Sequence, residues 1–243
     1  MRQPRSVSMV VPMYNEEKSV LHLLDLAEEA LERHVDDYEI VLVDDASSDA
    51  TFDIASARSV ANARIRVVRH ERNRGLGGAL RTGFAAAQKP WILYTDCDVP
   101  WDLDETGRAF RAAEITGADF ISGYRHDRTG EGTLRTIYSY FYNALIHLAF
   151  GVPIRDVNFS CKLVRRQLLT EVQLQSEGSF IDAEMIARLY RRGALIQQIG
   201  LDYFPRTRGV STLSSPRVVV KILLELLRLA PDIRREKKNG GGS

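Results

Sequence analysis

Trp91-Ile92-Leu93-Tyr94-Thr95-Asp96-Cys97-Asp98 is an apolar run that ends on two acids spaced two residues apart. Consecutive large apolar residues bounded by polar ones predict a short, buried strand. In extended backbone, residues i and i+2 point to the same side, so Asp96 and Asp98 can converge on one cation. Two like charges at the end of a buried strand are costly unless something positive neutralises them. A divalent ion carrying a ligand's phosphates would do so, because Mg²⁺ takes one or two protein carboxylates together with phosphate oxygens. The same two acids could instead cap a helix and a turn.

Outward from this strand, the first half of the chain alternates strand and helix patterns. Strands are predicted at 7–13, 38–43, 65–69, 91–95 and 119–122. Val20, Leu23, Leu24, Ala27 and Leu31 recur at helical spacing and predict one apolar helix face. Further helices are expected at 49–59, 76–88 and 103–116. Such alternation predicts an α/β fold, a mostly parallel sheet with helices on both faces. Ligands of these sheets bind beyond the carboxyl ends of the strands. The polar clusters Tyr14-Asn15-Glu16, Asp44-Asp45 and Asp96-Cys97-Asp98 all follow predicted strands. In the second half a Gly-, Arg- and Thr-rich loop at 123–133 precedes an expected helix at 134–150. A helix at 182–192 and a strand at 195–204 follow. The last helix, 216–230, starts with Ser215 as its cap and Pro216 at its first position.

Composition narrows the partners. At 243 residues the chain can form one large domain, or one domain with a small appendage. Its 44% hydrophobic and 27% charged residues are those of a soluble globular protein. The formal charge of +1 gives no sign of nucleic-acid binding. Cys97 and Cys161 lack ligand-like spacing, and the five histidines are scattered. This argues against a disulfide scaffold, a structural zinc or a histidine metal site, and fits a reducing cytoplasm. No signal peptide and no membrane-spanning run is expected. Residues 239–243 read as a flexible tail or cloning scar.

The motifs Val11-Pro12-x-Tyr14-Asn15-Glu16, Asp44-Asp45-x-Ser47-x-Asp49, Asn73-x-Gly75 and Asp96-x-Asp98 occur in this order over most of the chain. Together they resemble the catalytic domain of family 2 glycosyltransferases, the inverting GT-A fold. That resemblance implies a nucleotide pocket lined by Pro12, Tyr14, Glu16 and Asp44, with Asn15, Asp45, Asn73 and Cys97 among the donor contacts. It implies that Asp96 and Asp98 hold a Mg²⁺- or Mn²⁺-bound diphosphate. The glycines of Asn73-Arg74-Gly75-Leu76-Gly77-Gly78 could let backbone approach a phosphate.

Ser122-Gly123-Tyr124-Arg125, Arg135, Ser139 and Arg206-x-x-Gly209-x-Ser211 are similar to the polyprenyl-phosphate branch, that of dolichol-phosphate mannose synthases and dolichyl-phosphate glucosyltransferases. The resemblance implies that Arg125, Arg135, Ser139 and Arg206 meet the lipid phosphate or the donor diphosphate. The planar guanidinium fork suits such anions. The implied donor is a nucleotide diphosphate sugar of the GDP-mannose or UDP-glucose type, and the implied acceptor a polyprenyl phosphate. Two departures stand out. Asp156-x-Asn158-Phe159-Ser160-Cys161-Lys162-Leu163 replaces the usual acceptor-loop form, and Pro100 occupies the place of a glutamine ligand. Asp102, Asp104 or water could supply that missing oxygen.

A hydroxyl acceptor would need a general base, for which Asp182 and Glu184 are the candidates. The expected division is a catalytic domain at 1–213, a helix with a basic tail at 214–238 and the tail at 239–243. In the last helix Arg217, Lys221, Glu225 and Arg228 form one polar stripe among apolar residues. That pattern can lie in a cytoplasmic membrane face, or pack against the domain or a membrane-spanning partner subunit.

Overall fold

The computed structural model describes residues 4–127, 133–204 and 216–236, with the side chains of 133–135 and 216–219 left aside. Seven strands form one sheet: β1 (Ser6–Met13), β2 (Asp37–Asp44), β3 (Ile65–Arg69), β4 (Trp91–Tyr94), β5 (Phe120–Arg125), β6 (Lys162–Arg165) and β7 (Ile196–Leu201). Their order is β3-β2-β1-β4-β6-β5-β7. All neighbours are parallel except β6, which runs antiparallel to both β4 and β5. The helices are α1 (Val20–His34), α2 (Thr51–Ala61), α3 (Gly75–Ala86), α4 (Thr106–Thr116), α5 (Thr133–Phe150), α6 (Arg166–Thr170), α7 (Ile181–Arg191) and α8 (Pro216–Arg235).

Alternation along the strands builds two cores. On β1, Val7, Met9, Val11 and Met13 enter one apolar cluster with the buried face of α1, while Val10 enters the other. This is the period-two pattern of a strand covered on both sides. The second cluster holds Ile92 and Tyr94 of β4, Phe180 and Ile181, and Ile222, Leu226, Leu229 and Ile233 of α8.

Several elements differ from expectation. The strand β6 and the short helix α6 were not foreseen; four residues beginning with the buried Lys162 carry too little pattern to announce a strand. The expected helix 103–116 opens instead as a 3₁₀ turn, Leu103–Glu105, because the Asp102 carboxylate accepts from the Asp104 N–H at 3.0 Å. The strand expected to reach residue 204 stops at Leu201, and the Phe204 N–H donates to the Pro100 carbonyl at 3.0 Å. The last helix runs past Pro231 to Arg235. Proline removes one helical donor, but contacts beyond it hold the final turn: Ile233 is buried and Arg188 donates to Asp232 and Glu236 at 2.7 and 2.8 Å. The Ser215 cap lies outside the described residues. Among the described residues no helix is long and apolar enough to cross a membrane.

Candidate active site

The strands β2, β1 and β4 are neighbours and parallel, so their carboxyl ends carry Asp44-Asp45, Tyr14-Asn15-Glu16 and Asp96-Cys97-Asp98 side by side. Among the described residues, the non-glycine positions with positive φ are Asn15, Ala46 and Val99, each just after one of these strands. Asparagine tolerates this conformation, whereas a β-branched valine is strained there. Strain of this kind clusters where a fold holds a ligand site.

The first two turns are tied to each other. The Asn15 N–H donates to Ser47 Oγ (2.9 Å), Ser48 N–H donates to Asn15 Oδ1 (2.8 Å), and the Glu16 N–H donates to Thr51 Oγ1 (2.7 Å). Tyr14 is left half exposed over this frame and Glu16 half-buried, with Pro12 half-buried in β1. The Asp44 carboxylate is fully buried and lies 3.2 Å from Nε of Arg69, whose guanidinium stacks on Phe52 at 4.2 Å. Arg69 was not singled out in the sequence.

Asp45 has a different occupation. Its Oδ1 meets His70 Nδ1 at 2.6 Å and accepts the Arg74 N–H at 2.8 Å, and its Oδ2 accepts the Gly75 N–H at 2.8 Å. The carboxylate thus holds the turn before α3. Asn73 stays there too, donating to the Asp45 carbonyl at 3.3 Å and accepting from Gly75 at 3.1 Å. The glycines of this turn answer to the protein's own backbone instead of a phosphate. A Cβ at Gly75 or Gly77 would drive into the carbonyls of Glu177 or Ser176, and the Gly77 N–H donates to Glu177 at 3.0 Å.

Beyond β4, Asp96 and Asp98 are both half-buried. The Tyr94 hydroxyl donates to Asp96 at 3.2 Å, and Asp98 lines a cavity of about 320 Å³ beside the 3₁₀ turn. Cys97 is buried in the first apolar cluster, so only its backbone is offered to a ligand. Asp104 is paired with Arg33 (2.6 Å) and His34 (3.1 Å), and Asp102 caps the 3₁₀ turn, so both carboxylates have other work. Among the described residues no set of three or more histidine, cysteine, aspartate or glutamate side chains converges on a metal position. Two hard carboxylates without a third protein ligand fit a Mg²⁺ or Mn²⁺ ion that completes its shell with phosphate and water oxygens.

The region facing the acid pair across Trp101 is built from residues far apart in sequence. Trp101, fully buried, donates from its indole to Thr95 Oγ1 (3.0 Å) and to the Ser160 carbonyl (3.2 Å). It thereby pins the acid-bearing turn to the 156–162 segment. Arg125 grips Asp156 with two bonds, Nε to Oδ2 at 2.7 Å and Nη2 to Oδ1 at 2.8 Å. Lys162 is fully buried and donates to the Phe159 carbonyl at 2.7 Å. Asn143 of α5 accepts the Val157 N–H at 3.0 Å. Ser139 lies half-buried on α5, and Arg135 sits one turn earlier on the same helix. Arg206 lies outside the described residues. Sequence reading missed Trp101, and it quoted Lys162 within the 156–163 segment without giving it a role.

Of the two candidate bases, Glu184 is consumed. Its buried carboxylate accepts from the Gln175 and Ser176 N–H groups and from Arg188 Nε. Asp182 is buried, and its Oδ1 has no hydrogen-bond partner. Burial pushes its carboxyl up to about 7, with Lys162 opposing the shift and Asp96 and Asp156 adding to it. Burial also lowers Lys162 and drives the Tyr94 phenol well above its ordinary value. Between about pH 4 and 7 the native state therefore keeps a proton on Asp182 that the unfolded chain releases, so this group makes stability fall as pH rises. Asp182→Asn removes that slope. The thermal midpoint of the variant is expected to gain on the parent progressively from pH 4 to pH 8 in metal-free buffer. Parallel pH profiles would contradict the assignment.

The sequence model of Glycosyl transferase family 2 matches residues 8–173, from β1 to just beyond α6. The chain belongs to this family. Among its family 2 relatives is dodecaprenyl-phosphate galacturonate synthase of Rhizobium johnstonii, 28% identical over 241 residues, which are 98% of this chain and 70% of that protein. Undecaprenyl-phosphate 4-deoxy-4-formamido-L-arabinose transferase of Pseudomonas fluorescens is 30% identical over 223 residues, 91% of this chain and 64% of that protein. The glycosyltransferase AglD of Haloferax volcanii is 29% identical over 82% of this chain, which spans 33% of its length. Crystal structures of other proteins share the fold. Glucosyl-3-phosphoglycerate synthase of Mycobacterium tuberculosis in complex with uridine diphosphate superposes with a TM-score of 0.71 at 20% identity, covering 93% of this chain and 80% of that one. The sheet is that of the GT-A fold, as its motifs implied.

Proposed function

We propose that this protein transfers a sugar from a nucleoside diphosphate donor to a polyprenyl phosphate, inverting the anomeric carbon, at the cytoplasmic face of a membrane. The observation that carries this reading is the link between the acid pair of β4 and an acceptor side built on buried cations. Trp101 joins Asp96 and Asp98 to a segment held by Arg125 and Lys162. The names of the Rhizobium and Pseudomonas relatives, both polyprenyl-phosphate enzymes, support the acceptor.

A phosphate acceptor sets what catalysis requires. A hydroxyl must lose a proton as it attacks, whereas a phosphate monoester is already an anion at neutral pH. The protein then has to hold two anions in line, screen their repulsion and stabilise the departing diphosphate. Asp44 and Tyr14 would grip the nucleoside, and Arg135, Ser139 and Arg206 the phosphates, with Arg125 reaching them only from its two bonds to Asp156. Asp96 and Asp98 would hold a divalent ion, which supplies charge stabilisation of the diphosphate. A glucosyl-3-phosphoglycerate synthase structure described with Mn²⁺ and UDP-glucose supports that choice of ion. Access to lipid would come from apolar residues left in solvent. These are Ile137, Tyr138, Tyr140 and Phe141 on α5 and Val220, Leu223, Leu224 and Leu227 on α8, with Arg228, Arg234 and Arg235 exposed nearby. A membrane-spanning subunit is the other candidate for that face.

A second reading, transfer to a hydroxyl of a polysaccharide or small sugar, is favoured by Asp182 alone, whose carboxyl near 7 suits a general base. Incubation with a panel of labelled nucleotide sugars and a short polyprenyl phosphate, with and without Mn²⁺, separates the two. Mannose, glucose and galacturonate donors come first. The proposal expects metal-dependent labelled lipid from one donor, with inverted configuration. Label found only on free sugars, or a retained configuration, would reject it.

A further inference from the structure

The segment from residue 174 onward lies beyond the stretch that defines the family, yet it reaches back to the donor side of the site. We propose that Glu225 of α8 is a positioning residue for donor binding, acting through the 175–178 turn on the loop before α3. This rests on the reading of that region as a nucleotide-sugar pocket.

The chain of contacts is continuous. The Glu225 carboxylate, half-buried, accepts from Ser176 Oγ at 2.8 Å, the Glu177 N–H at 3.2 Å and the Gly178 N–H at 3.1 Å. Three donors converge on one carboxylate, which makes it the organising group of the turn. From α7, Glu184 holds the same turn by accepting from Gln175 and Ser176. On its far side the turn lies directly on the amino end of α3. The Gly77 N–H donates to Glu177, and the absence of a Cβ at Gly75 and Gly77 is what allows that approach. Gly75 is bonded in turn to Asp45, the residue after Asp44 at the end of β2. A displacement of Glu225 therefore reaches the nucleotide side of the sheet through packed backbone, with little side-chain freedom to absorb it.

The position of α8 is itself set by charge. Arg188, almost fully buried on α7, binds Asp232 of α8 and Glu236 just after it while pairing with Glu184 on its own helix. Glu184 therefore touches both the clamp on α8 and the turn that Glu225 holds. Meanwhile Val220, Leu223, Leu224 and Leu227 of α8 stand exposed.

The test is calorimetric binding of UDP and of GDP, with Mn²⁺, to the full chain and to Glu225→Ala and Glu225→Asp, alongside donor KM and kcat. Residues acting at a distance through a packed network shift coupling by about 2–30-fold. Glu225→Ala is expected to weaken nucleotide binding and raise donor KM by roughly fivefold within that range, with kcat at saturating donor changed less than about twofold. Glu225→Asp, too short to reach all three donors, is expected to fall between Ala and the parent, and it serves alone if the alanine variant does not fold. A purely structural role would lower the melting temperature and leave the Kd of the folded protein unchanged. Parental affinity in the folded variants overturns the proposal. Failure of the parent itself to bind either nucleotide overturns the donor-site reading instead.

Discussion

Asp98→Asn is expected to lower kcat for sugar transfer by roughly 10²–10³-fold, the loss that follows when several kcal/mol of charge stabilisation are removed from a diphosphate leaving group. Asparagine keeps the shape of the side chain but removes the charge and turns one acceptor oxygen into an amide donor. Asp98 is half-buried and lines a cavity, outside both apolar clusters. Stability should therefore change little, with the thermal midpoint within about 2 °C of the parent. Activity should not return on raising Mn²⁺ within the millimolar range. Asp96→Asn should behave similarly, and its amide oxygen can still accept from the Tyr94 hydroxyl. Full turnover in the Asp98 variant would remove the metal–diphosphate role from this pair.

Arg188→Ala is expected to have the largest effect on folding. The guanidinium is buried against Glu184, which is fully buried, and it reaches Asp232 and Glu236 across the interface with α8. Removing one partner of a buried pair leaves an uncompensated charge, at a cost of about 3–5 kcal/mol. Urea denaturation should show that loss, together with protease sensitivity at α8. Arg188→Lys retains a positive charge without the planar fork, and should lose less. A loss below about 1 kcal/mol would mean that Glu184 is satisfied by Gln175 and Ser176 alone.

The parts of this molecule that were legible in the sequence are those set by local pattern. The helix of Val20, Leu23, Leu24, Ala27 and Leu31 buries all five of these residues, because 3.6-residue periodicity is a local property. The parallel strands were found for the same reason, and their order in the sheet places Tyr14, Asp44 and Asp96 at the ends of adjacent strands. What escaped was set by partners distant in sequence. Nothing near Lys162 says that it would be buried with Asp182 as its electrostatic neighbour. Nothing in Asp44-Asp45 tells that Asp44 lies buried against Arg69 while Asp45 holds His70 and the turn before α3. The glycines after Asn73 have the composition of a phosphate loop, and their reason is a carbonyl from a turn a hundred residues later. In α8 the sequence showed one polar stripe among apolar residues; the residues that pack are Ile222, Leu226, Leu229 and Ile233, and Glu225 of that stripe accepts from the 176–178 turn.

The central claim is that the acceptor is a phosphate whose own charge replaces a catalytic base. The most direct measurement compares initial rates of label transfer to a short polyprenyl phosphate and to the matching polyprenol, with the same donor, metal and detergent. The account predicts lipid-linked sugar from the phosphate only, with a rate that changes little in Asp182→Asn. Equal transfer to the alcohol, abolished in Asp182→Asn, would contradict it.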